Sequence, residues 1–301
     1  MNSLNELHKM ITREIIEQRN KEIARFKEQK DEATAIAKHG EGKVLAASAA
    51  AGLDMAKIDA LRQERIAEGE KRYKAIEAKL VQESQNPAMV EGPYVQRVSL
   101  PEGAQALRPA WVSASSSADD KDKLVASAEI KAQNLLTGGG CKDYWNSASG
   151  GGWGCLGSGV GEIQTWVDFG FWFYPTQNRF YSVQPHFLFR GFYIVYADDG
   201  FWDCKNARTV LSVWTNCWQY NWKGWNHVDV LNVGGDNINV NNRFDIDRYP
   251  YSAYLLGAND WVWIQCTIGL YARAQGGGSN VKNDFATGNA NYLCVPECYV
   301  W

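Results

Sequence analysis

The composition breaks in two along the chain, and no single fold class accommodates both parts. Residues 1–90 hold 16 Lys/Arg and 15 Asp/Glu but only two aromatic residues, Phe26 and Tyr73. Residues 141–301 hold 34 aromatic residues, 12 of the 13 tryptophans among them, and only 23 charged residues. The first composition suits solvated helices, and the second a densely packed β core. The expectation is an α + β multidomain chain: a coiled-coil-like helical hairpin over 1–86, a linker with a short helix over 87–140, and an all-β jelly-roll-type sandwich over 141–301.

In the charged part the apolar residues form narrow stripes. Leu4, Ile15, Phe26 and Ala37 recur every 11 residues, as do Val44, Met55 and Ile66, and Ile58, Gly69 and Leu80. An 11-residue repeat is 3.67 residues per turn, close to a straight helix. His39-Gly40-Glu41-Gly42 reads as the turn between helices over 5–38 and 43–83, because glycine stops helices. Stripes this thin cannot hold a hairpin together alone, so they predict burial against other copies of the chain or against another domain. The small-residue stretch 45–53, LAASAAAGL, raises a second possibility, a hairpin that inserts into membranes. It is short for a spanning segment, and Asp54, Lys57 and Asp59 follow at once.

Residues 84–121 carry Pro87, Pro93, Pro101 and Pro109 and a serine-rich tract, the mark of a linker or extended arm. Residues 122–136 read as a short helix. Beyond them, apolar alternation recurs in short runs: 162–174, 180–189, 191–197, 208–215, 217–222, 227–233, 238–242, 260–272 and 290–299. Turn-forming residues separate these runs, as in an antiparallel sandwich.

One run poses a question. In TWVDFGFWFYP, from Thr165 to Pro175, alternate residues point to opposite faces. Thr165, Val167, Phe169, Phe171 and Phe173 form a core face. The other face carries Trp166, Trp172 and Tyr174, where a solvated strand would be polar. Trp261, Trp263 and Tyr271 repeat the pattern. A contiguous aromatic face is covered, shared with another subunit, or used as a stacking platform for a ligand.

Catalytic signatures are lacking. Gly157-Ser158-Gly159-Val160-Gly161 precedes a strand instead of joining strand to helix, so it lacks the helix N-terminus of a phosphate loop. It also lacks the glycine pattern around Ser158 that a nucleophile elbow needs. The stretch 235–247 is rich in oxygen donors but places Ile238 where a calcium loop needs one. No cofactor or metal is expected. The seven cysteines have no zinc-ligand spacing and read as buried thiols, with Cys141–Cys155 or Cys294–Cys298 as pairings outside the cell. The net charge of −3 argues against a nucleic-acid footprint. The N-terminal residues lack the apolar stretch of a secretory signal, which predicts cytoplasmic synthesis with release by a non-classical route.

The candidate ligand-binding residues are Trp202, Trp222, Trp225, His227, Asp198, Asp199, Asp236 and Asn237. Tryptophan stacks on the apolar faces of sugar rings while Asp and Asn bind hydroxyls. His186 is the other histidine of this half. The expected function is a non-enzymatic surface-binding protein whose sandwich recognises a glycan or cell-surface receptor and whose helical arm drives homo-oligomer assembly. The alternatives are a pore-forming or insecticidal-type toxin, touching membrane only through the arm, and a self-assembling structural protein. The arrangement resembles, at the level of fold alone, some fibre tips, lectin-like modules and two-domain toxins.

Overall fold

A computed structural model of the chain describes residues 3–86, 99–117, 141–142, 144–152, 159–198 and 204–301. The expected short helix at 122–136 lies outside the described residues. Two long helices are followed by antiparallel sheets. Helix α1 runs Leu4–Ala50, 47 residues, about 70 Å at 1.5 Å per residue. Ser3 and Glu6 form a reciprocal capping box at its start. Helix α2 runs Met55–Glu83, capped by Asp54, whose side chain accepts from the Lys57 amide.

The turn therefore lies at residues 51–54, not at the expected 39–42. Gly40 and Gly42 continue within α1, at a cost of about 1 kcal/mol each relative to alanine. Gly52 makes the stop, at φ +82, where a side chain would be strained. The alanine-rich stretch is thus the last turns of α1. No helix among the described residues is long and apolar enough to cross a membrane.

The β region is a sandwich of two layers. The first layer is one sheet of β2 (Trp111–Ser116), β5 (Val160–Phe173), β15 (Val262–Gln275), β9 (Asn206–Gln219) and β10 (Asn221–Trp222), in the spatial order β10-β9-β15-β5-β2. Strand β11 (Asn226–Asp236) also pairs with β9.

The second layer consists of three four-stranded pieces. They are β1 (Gln105–Leu107), β18 (Cys298–Val300), β6 (Arg179–Pro185) and β14 (Ser252–Leu256); then β3 (Cys141–Lys142), β17 (Tyr292–Cys294), β7 (Phe187–Arg190) and β13 (Ile246–Arg248); then β4 (Tyr144–Ser149), β16 (Asn280–Phe285), β8 (Phe192–Ala197) and β12 (Ile238–Arg243). The pieces share one strand order. The chain also runs directly from β6 through β7 to β8, and from β12 through β13 to β14. The layer is therefore one long sheet whose strands bend at His186, Gly191 and their neighbours.

Phe169, Phe171, Phe173, Ile264, Ile268, Leu211 and Val213 face Val183, Phe187, Phe189, Val195 and Val281 across the core. Cys141 is disulfide-bonded to Cys294, directly opposite it in the β3–β17 pairing. Both expected pairings are wrong: Cys141 is taken by Cys294 and not by Cys155, and Cys298 is a free thiol buried in the core with Cys217 and Cys266. Nearness in sequence misled here: neighbouring strands brought together residues 153 apart.

Beyond the turn, the helices lie on opposite layers and do not form a coiled coil along their length. Ile11 and Ile15 of α1 pack on Trp263 of the first sheet. Leu80, Tyr73 and Ile76 of α2 pack on Phe192, Ile194 and Tyr196 of the second layer. Two of the 11-residue stripes are these inward faces, with Ile15, Ala37, Gly69 and Leu80 buried; the third is cut by the turn, and its Val44 is exposed. Of the two covers the stripes predicted, other copies or another domain, this chain's own sandwich is the one that buries them.

Ion pairs pin α2. Lys282 of β16 reaches Glu77 at 2.7 Å and Asp284 at 3.0 Å. Burial pushes the Asp284 carboxyl up, but Lys282 and the bonds from Thr287 and Ala286 outweigh it and hold it below the ordinary range. A depressed folded-state value stabilises the protein above the unfolded carboxyl value, about 3.9, and that stability is lost as pH falls through the folded value. Denaturant midpoints measured from pH 6 to pH 2 should therefore fall steeply below about pH 4. Asp284→Asn should flatten that limb, and an unchanged slope would show that Asp284 does not contribute to it.

Candidate functional site

The outer face of the first sheet answers the question posed by its two-faced strands. Pairing sets its side chains in rows. Trp172 of β5 lies opposite Trp263 of β15, which lies opposite Trp218 of β9, which lies opposite Trp222 of β10. Leu7, Ile11 and Ile15 of α1 cover this row of four tryptophans. Of the three uses open to an aromatic face, this part of it is covered, and the cover is the first helix.

The glycines of this face make room for the rings. A Cβ on Gly170 would collide with the Trp263 ring, and one on Gly269 with the Trp214 ring, so each indole lies flat over a neighbouring strand.

Four residues along β5, β15 and β9, a second row holds Asp168, Thr267 and Trp214, and His227 of β11 lies opposite Trp214. Here α1 is tied down by charge. Arg19 grips the Asp168 carboxylate with two donors, at 2.8 and 3.3 Å. Asp168 also accepts from Thr267 at 2.6 Å and Gln265 at 2.9 Å. The Arg19 guanidinium lies 5.0 Å over the Trp166 ring and bonds Glu22 at 2.5 Å.

Between this clasp and β11 a cleft of about 440 Å³ opens. Gln18, Arg19 and Glu22 form the helix wall, Trp166, Thr267 and Trp214 the floor, and Trp225 and His227 the far wall. His227 stacks on Trp214 at 5.0 Å, and Trp225 on Trp222 at 6.1 Å. The Trp222 indole donates to Glu14 of α1 at 3.1 Å. His227 Nε2 is 3.0 Å from Asp229, which also accepts from Ser212 at 2.6 Å. Trp225 is 42% exposed, so one wall offers an open aromatic surface.

Three expected residues, Trp222, Trp225 and His227, are brought together here. Three others sit elsewhere. Asp198, at the end of β8, pairs with Arg72 of α2 at 3.0 Å. Asp236 accepts from Asn206 at 2.9 Å, and Asn237 turns the chain from β11 to β12 at φ +47. These are corner residues of the sandwich, apart from the cleft. Asp199 and Trp202 lie outside the described residues. His186 bonds Asp247 at 3.2 Å and stacks on Tyr249, away from the cleft.

The sequence reading missed Trp166 and Trp214 as site residues, although alternation assigns both to the outer face. It also missed Gln18 and Glu22, which no local pattern marks, because only the docking of α1 brings them to the sheet.

No protein-family model matches the chain, and no curated protein matches it. Solved structures show faint likeness. A family 61 carbohydrate-binding module in complex with β-1,4-galactotriose has a TM-score of 0.19 at 7% identity, covering 47% of this chain and 63% of the module. A family 4 module has a TM-score of 0.15 at 11% identity, covering 42% of this chain and 72% of the module. The enzymatically active domain of tailspike protein 4 from bacteriophage CBA120 has 0.16 at 8%, covering 53% of this chain and 18% of that one. Likeness at this level carries no functional argument.

Proposed function

We propose that the protein binds carbohydrate, without turnover, in the cleft between α1 and the outer face of the first sheet. One observation carries the reading: tryptophan walls and hydrogen-bonding side chains converge on one concave space of ligand size. The exposed Trp225 ring suits the apolar face of a sugar ring, while Gln18, Glu22 and His227 suit its hydroxyls.

The carboxylates favour binding over hydrolysis. Cutting a glycosidic bond takes two carboxyl groups free to act on either side of it. Around this cleft Asp168 is committed to Arg19, Glu22 to Arg19, and Asp229 to His227 and Ser212.

A glycan array probed with the intact chain tests the proposal. Trp225→Ala should weaken every positive signal by about tenfold, the equivalent of ~1.4 kcal/mol. An array with no positive signal, or an unaffected variant, would reject the cleft as a sugar site. The whole chain is the right probe, since α1 supplies one wall.

A further inference from the structure

A second group of aromatic side chains stands at one end of the first sheet, outside the cleft. Three connections meet there: residues 174–178 between β5 and β6, Tyr220 between β9 and β10, and residues 257–261 between β14 and β15. Hydrogen bonds lock them together. Asn178 accepts from the Ala258 amide at 2.5 Å, and the Pro175 carbonyl accepts from the Asn259 amide at 2.9 Å. The Gln219 amide both accepts from the Gly257 N–H, at 2.7 Å, and donates to the Gly257 carbonyl, at 2.9 Å. Asp260 lies near the Tyr220 hydroxyl and raises the phenol above its ordinary value. Trp261 meets Tyr174 edge to face at 5.0 Å and Trp172 at 6.0 Å.

The backbone singles out Tyr220. Gln219 and Asn221 pair directly with each other, so Tyr220 is the tip of a very tight reversal. Its φ is +66, the left-handed region that a bulky side chain occupies only under strain and glycine occupies freely. Packing does not compensate, because Tyr220 is 69% exposed. Tyr174 beside it is 41% exposed. A strained backbone that presents an aromatic ring to water points to a use outside the molecule.

We infer that Tyr220, Trp261 and Tyr174 form a second carbohydrate contact, a rigid platform for the apolar face of a sugar ring at this end of the sandwich. The ligand class rests on the reading given for the cleft; the residues are separate from it. The platform is pre-organised by its loop bonds, so little ordering is lost on binding. A polymer long enough to reach both contacts would gain from their linkage, and a monosaccharide would not.

Affinity electrophoresis through gels cast with galactan, xylan, mannan or mixed-linkage β-glucan tests this, using the intact chain, Tyr220→Gly, Trp225→Ala and the double variant. Tyr220→Gly should unfold at an equal or higher temperature than the parent, because glycine relieves the turn. It should nonetheless bind the retarding polysaccharide about tenfold more weakly. A lowered unfolding temperature would make Tyr220 a structural residue and overturn the inference. Unchanged retardation with Tyr220→Gly, alongside a loss with Trp225→Ala, would overturn the platform and keep the cleft. The reverse pattern would keep the platform and overturn the cleft. An intact chain that no gel retards would overturn both.

Discussion

Arg19→Ala is expected to destabilise the protein by about 3–5 kcal/mol, the loss seen when one partner of a buried ion pair is removed. The side chains of Arg19 and Asp168 are only 11% and 3% exposed. Without the guanidinium, Asp168 keeps two neutral donors, Thr267 and Gln265, and no counter-charge. A buried carboxylate left without a counter-charge is costly.

Removing both charges, as Arg19→Met with Asp168→Asn, should restore part of the loss, because no orphaned charge remains. Arg19→Lys should fall between, since an ammonium cannot reproduce the two-donor grip. Urea denaturation gives the global figure, and hydrogen exchange in α1 reports whether the helix leaves the sheet first. A loss below about 1 kcal/mol is what an exposed surface pair gives, and would mean that the clasp does not hold α1.

The clasp also marks the boundary of what the sequence could disclose. Alternation in Thr165–Phe173 and Val262–Leu270 revealed both faces of the two central strands, because period 2 is a local property. The spacing of 11 likewise revealed which helix positions turn inward. Neither pattern says which surface lies opposite. That Ile11 meets Trp263, or Arg19 meets Asp168, depends on chain paths more than a hundred residues apart, and the local pattern at Arg19 is that of a solvated helix.

Strand β16 was missed for a related reason. Its residues, NVKNDF, read as a polar loop. Within the sandwich, however, Asn283 bonds Thr209 and Asn146 inside, while Lys282 meets Glu77 outside. Polar partners on both faces erased the apolar alternation. Strand β14 was hidden by the proline and tyrosines before it. The turn at residues 51–54 lost to the more conspicuous glycines at 40 and 42, which a docked helix tolerates. Of the site, the tryptophans and His227 of the β10–β11 edge were legible as a dense aromatic cluster. The helix wall was not, since Gln18 and Glu22 differ in no visible way from other polar residues of α1.

Trp263→Ala is the strongest expected disruption of the row under α1, also about 3–5 kcal/mol by analogy with large-to-small changes in cores. Trp263 is 0% exposed although it points away from the main core. Its ring meets Trp172 at 4.9 Å and His8 at 5.3 Å, both edge to face, and Trp111 at 6.0 Å. Ile11 and Ile15 close over it, and Gly170 leaves it space. Alanine would leave an indole-sized void beneath a helix with few other large apolar anchors.

Phe171→Ala, on the opposite face of the same strand pair, should cost a similar amount, which makes the two faces equivalent cores. Trp263→Phe separates ring volume from the indole nitrogen. Among the described residues the Trp263 N–H has no hydrogen-bond partner, so losing it removes an unsatisfied donor along with part of the ring. That variant should therefore lose far less than the alanine variant. Chemical denaturation of the three variants decides the matter. If Trp263→Ala were nearly neutral while Phe171→Ala was severe, α1 would not be seated on the row, and the outer face of the sheet would be open to solvent.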